Sequence, residues 1–137
     1  MSLYLCIFNG KDEIDGVEVG SYSDFRFFRD SVLHKLENGV IGSRFPVLML
    51  HSDCEGTWSV REAGLLLEEL KEIVKSFKTM PAEKYHSEWQ QKLAKSQGLR
   101  PDNLYECFID VDGEILIERL LELCQLSIQV KEPILFQ

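Results

Sequence analysis

Four side chains able to ligate a metal or move a proton fall within five residues of this chain. They are His51, Asp53, Cys54 and Glu55, in the stretch H-S-D-C-E-G-T-W that ends at Trp58. Imidazole, thiolate and carboxylate are the donors of zinc sites and the acids and bases of hydrolases. This loop is therefore where a small metal-dependent hydrolase would carry its chemistry. The spacing argues against it. Consecutive residues of an extended loop point in different directions, and His34 and His86 are far away in sequence. The competing reading has His51 and Asp53 satisfying loop and helix-terminus amides, with Trp58 packed beneath.

Other chemical patterns are incomplete. Asp110-x-Asp112-Gly113 matches part of a calcium loop, but the first ligand position would fall on Phe108 and the twelfth on Arg119. A turn explains the fragment. There is no nucleophile elbow, P-loop or dinucleotide fingerprint. The neighbouring carboxylates Glu68 and Glu69 face apart on a helix. Cys6, Cys54, Cys107 and Cys124 include no C-x-x-C pair, so neither a zinc knuckle nor a redox pair is predicted. No cofactor is expected.

The densest run of charge is Asp12, Glu13, Asp15 and Glu18. It reads either as a solvated hairpin or as a negative patch that steers a basic protein partner, with Tyr22 or Trp58 as an aromatic anchor. The whole chain leans the same way, with 15 basic against 23 acidic residues and a net charge of −8. Nucleic acid and anionic membrane surfaces both demand a basic surplus and are excluded as partners. Self-association is left open. With no signal-peptide pattern and no long apolar run, the expected setting is the cytoplasm, with free thiols.

The elements that must position these residues follow from periodicity. Residues 2–8 form a strand stopped by Asn9-Gly10, and residues 11–20 read as a loop plus a short strand. Ser23 caps a helix to about Asn38, burying Phe25, Phe28, Val32 and Leu36. V-L-M-L at 47–50 reads as a central strand, covered on both faces. Ser59-x-x-Glu62 is a capping box opening a helix whose stripe runs from Ala63 through Leu66, Leu70 and Ile73 to Phe77. A shorter helix is predicted over 83–97, a strand over 104–111, a helix from Ile117 to about residue 126, and a strand at 134–136. At 137 residues, 45% of them hydrophobic, one domain with its own core is expected. The fold class is α+β, a small mixed sheet against three or four helices. Residues 79–103 are the place for a variable helical insert.

Three stretches together resemble the immunity protein 70 family of bacterial polymorphic toxin systems. They are S-L-Y-L-C-I-F-N-G-K-D-E-I-D-G-V-E-V-G-S-Y, the central R-F-P-V-L-M-L-H-S-D-C-E-G-T-W-S, and F-I-D-V-D-G-E-I-L-I-E-R-L-L-E-L with the closing P-I-L-F-Q. The resemblance implies a cytoplasmic, non-enzymatic protein that binds and neutralises a toxin domain by stoichiometric contact, without a cofactor. A pre-formed acidic surface would cover the substrate cleft of a basic toxin. Contact residues are expected at Asp12, Glu13, Asp15 and Glu18, with His51, Asp53, Glu55 and Trp58 as a second patch. The alternatives are the hydrolase built on the 51–58 loop and a non-catalytic regulatory module.

Overall fold

The computed structural model describes residues 2–137. Strand β1 (Ser2–Asn9) turns at Gly10 into β2 (Asp12–Ser21), and the two pair antiparallel along their length. The ten-residue β2 is longer than the short strand its glycines and four acids predict. Pairing with β1 overrides weak local propensity. Two irregularities in the ladder, between Leu3 and Tyr4 and between Ile7 and Phe8, mark where β2 carries an extra residue.

Helix α1 (Tyr22–Leu36) is capped by Ser21, not Ser23. The Ser21 side chain accepts from the Asp24 amide, and Asp24 returns the bond to the Ser21 amide. It buries Phe25, Phe28, Val32 and Leu36. Residues 47–50 do not form a strand: α2 (Pro46–Met49) is a single helical turn. Pro46 sits at its first position, where a missing N–H costs nothing. Glu69, from a helix far along the chain, accepts from the Val47 and Leu48 amides at 3.0 and 2.9 Å. A four-residue apolar run fits strand or helix equally by pattern, and this distant carboxylate decides it.

Strand β3 (Thr57–Trp58) precedes α3 (Val60–Phe77), which opens with the expected capping box and buries Ala63, Leu66, Leu70, Ile73 and Phe77. Helix α4 (Glu88–Gln97) covers part of the 83–97 span. Residues 104–111 depart from expectation: Leu104–Cys107 is a 3-10 turn capped by the Asn103 side chain, leaving only an isolated bridge from Ile109 to Ile115. Helix α5 (Leu116–Val130) outruns its predicted end by four residues, and β4 (Ile134–Phe136) follows.

The four strands lie in the order β2-β1-β4-β3, with β4 inserted between β1 and β3. Every ladder is antiparallel. Among the described residues the sheet has no parallel pair, so it is antiparallel and not the mixed sheet expected, and residues 47–50 add no strand to it. Five helices and this sheet give an α+β fold. Leu3, Leu5, Ile7, Val17, Trp58, Ile134 and Phe136 join the helical stripes in one apolar core. Alternate residues point the other way. Tyr4 and Phe8 are half-buried, and Glu18 and Thr57 are exposed, as befits an antiparallel sheet with one solvated face.

Candidate functional site

The two acidic patches sit at opposite edges of the sheet. β2 carries one, and the other lies in the loop entering β3, two strands beyond β1. Three strand spacings, about 14 Å, separate those edges.

On β2 the pleat sorts the acids. Glu13 pairs across from Phe8 and Glu18 from Tyr4, so both belong to the solvated face. Asp12 stands exposed at the hairpin turn. Asp15 pairs with Ile7, whose side chain enters the core, and so turns towards the helices, where it meets Arg119 of α5 at 3.1 Å. Three of the four acids thus face solvent and one is held by an internal ion pair. Tyr4 lies flat across Gly16: a Cβ at position 16 would overlap its hydroxyl and ring. Burial pushes the Tyr4 phenol up to about 12, with the neighbouring Glu13 carboxylate adding to the shift. Tyr22, one of the two expected anchors, packs partly buried against the core.

In the second patch His51 is a clamp. Its Nδ1 faces the Ser52 carbonyl at 2.7 Å and its Nε2 the Thr57 carbonyl at 2.8 Å. Its ring stacks on Phe136 with centroids 4.2 Å apart. Both ring nitrogens thus face backbone carbonyls within the loop. Asp53 pairs with Arg26 at 3.6 Å, and Glu55 is exposed. Among the described residues no three His, Cys, Asp or Glu side chains converge as a metal site would need. Trp58 has no exposed surface. Its indole donates to the Val47 carbonyl at 3.2 Å and meets Phe136 edge-on, so it anchors the core and not a partner.

The Asp110–Gly113 fragment is a turn. Asp110 is buried, and its Oδ1 accepts from the Asp112 and Glu114 amides at 2.9 and 3.0 Å. Burial raises its carboxyl above the usual range, against those amide bonds and Arg119. The Val111 amide donates to Glu18 on β2.

Three supports escaped the sequence reading, two of them because they join residues distant along the chain. Arg29 of α1 donates to the Leu48 and His51 carbonyls, fixing the entry to the 51–58 loop. Trp89 of α4 donates to the buried Asp24 at 3.0 Å, tying residues 79–103 to α1. Glu37, just past α1, is almost wholly buried, and its carboxylate accepts from the amides of Gly42, Arg44 and Phe45. A glutamate followed by Asn-Gly and a second glycine was the available signal, though a helix C-terminus explains those residues equally well.

No helix among the described residues is long and apolar enough to cross a membrane. No curated protein and no solved structure matches the chain. A family model described as Immunity protein 70 matches residues 3–136, the 79–103 segment included. With nearly its whole length matched, the chain belongs to the immunity protein 70 family.

Proposed function

We propose that this protein binds the toxin domain encoded beside it, one chain to one toxin, and neutralises it by covering the toxin's substrate cleft. The reading rests on the solvated face of the sheet. There Tyr4 and Phe8 lie half-buried beside Glu13 and Glu18, with Asp12 at the rim. Aromatic side chains ringed by charge are the anatomy of a protein interface. The net charge of −8 selects a basic partner and speeds encounter more than it tightens the complex. Asp53 and Glu55 extend the negative field at the far edge of the sheet. The cytoplasm, where such a toxin would act on its own producer, is the setting of this reading. Binding, with no turnover, suffices for protection.

Co-expression tests it. The C-terminal domain of the neighbouring gene's product should arrest growth alone and not when this chain is present. A toxin domain that kills equally in both strains would sink the proposal.

A further inference from the structure

Loop 38–44 is built more rigidly than a connection needs. Glu37 is only 2% exposed, and its Oε1 accepts from the Gly42 amide at 3.1 Å. Its Oε2 accepts from the Arg44 and Phe45 amides at 3.0 and 2.9 Å. Asn38, Gly39 and Gly42 adopt left-handed backbone with φ of 52°, 80° and 75°, a conformation glycine takes without cost. Arg44 is turned away, donating to the Leu36 carbonyl and pairing with Glu72.

This framework holds apolar side chains in water. Val40, Ile41 and Leu50 are 63%, 56% and 63% exposed. Leu50, at the end of α2, lies directly on Gly42: a Cβ there would come within 2.8 Å of its side chain. Leu50 thus packs on the glycine that directly follows Val40 and Ile41, and all three aliphatics are exposed on or beside the braced loop. Scattered exposed leucines are ordinary, but a contiguous, preorganised group is what protein contact uses.

We propose that Val40, Ile41 and Leu50 form the apolar docking site for a basic protein partner, the toxin domain of the reading above, on which this inference rests. Charge chooses the occupant. The chain runs on from Leu50 into a loop where Glu55 is exposed and Asp53 is paired with Arg26, so Glu55 is the unpaired charge following the patch. A second copy of this chain would bring its own −8 against the same field. An apolar contact rimmed by lysine or arginine meets both features.

The test uses the full chain and the toxin domain identified by co-expression. Kd, kon and koff are measured for wild type, for V40S/I41S/L50S and for Ile41→Ser alone. All three positions are more than half exposed, so melting temperatures should stay within a few degrees. The triple variant should bind about 30-fold more weakly and the single variant about fivefold. Both losses should lie in koff, with kon and its salt dependence unchanged. If the triple variant fails to fold, Ile41→Ser decides alone. Wild-type complex formation that either folded variant matches within twofold overturns the docking site and leaves the neutralising role standing. Absence of a wild-type complex overturns both. Sedimentation showing a wild-type dimer that the triple variant makes monomeric would assign the patch to a second copy and overturn the proposal too.

Discussion

Arg119 on α5 reaches Asp15 on the edge strand β2, Nη2 to Oδ1 at 3.1 Å, and the same nitrogen donates to the Gly16 carbonyl at 2.9 Å. Its Nη1 meets Glu122 at 3.1 Å and its Nε lies 4.0 Å from Asp110. Together with the Val111 amide on Glu18, this side chain occupies outward-facing carbonyls that an open sheet edge would offer to another strand. Arg119→Ala should cost about 2 kcal/mol in urea unfolding, since charge-assisted bonds to partly buried groups are lost together. Arg119→Lys should recover only part, because one ammonium can reach Asp15 and Gly16 but has no further nitrogens for Glu122 and Asp110.

Glu13→Lys with Glu18→Lys should leave the fold intact, because both residues are exposed on the solvated face. The change of four charge units should slow association with the toxin domain about tenfold or more at low ionic strength. The difference should shrink as salt is added. Stopped-flow mixing across a salt series reads it, and equal rates at low salt would remove β2 from the encounter surface.

His51→Ala should lower stability by about 1–2 kcal/mol by unstacking Phe136 and freeing the Ser52 and Thr57 carbonyls. Excess zinc should not move the wild-type melting temperature. A zinc-induced rise that disappears in His51→Ala would revive a metal site in this loop.

Glu69 gives a pH signature. Desolvation raises its carboxyl above 4.5, opposed by the Leu48 and Val47 amides, and Glu37 adds to the rise. The folded chain therefore holds this proton more tightly than the unfolded one. That contribution is full below about 4.5 and is lost as pH climbs through the raised folded value. Burial of Asp110 gives the same sign from 3.8 upward. Glu69→Gln should cost about 1 kcal/mol through one lost amide acceptor. Its deficit relative to wild type should narrow as pH rises through that window; a widening deficit would contradict the shift.

Glu37→Ala leaves three amides of the 38–44 loop unpaired in a buried setting and should cost about 3 kcal/mol or more. Hydrogen exchange at Gly42, Arg44 and Phe45 should quicken more than exchange along α3. Uniform quickening would mean that the loop has no local brace.

Local rules carried the sequence reading where the chain decides its own structure over one or two turns. The Ser59–Glu62 box and the Ala63–Phe77 stripe specify α3 from neighbours alone, and Phe25, Phe28, Val32 and Leu36 do the same for α1. Residues 47–50 were illegible because their helical turn is capped by distant Glu69; Leu104–Cys107 has a local cap in Asn103, but its alternation imitates a strand. The acids of the hairpin were visible, but which of them face water was not. That needed the register with β1 and the position of Arg119. Trp58 looked like an anchor because nothing in H-S-D-C-E-G-T-W announces that Phe136, at the other end of the chain, covers it.

Strand β4 pairs with β1 on one side and with β3 on the other. Residues 2–130 therefore contain every described helix and both strands of the hairpin, while Thr57 and Trp58 find their strand neighbour only in Ile134–Phe136. Closing a contact between residues so far apart in sequence is slow, so the pairing of β3 with β4 should pace completion of the fold.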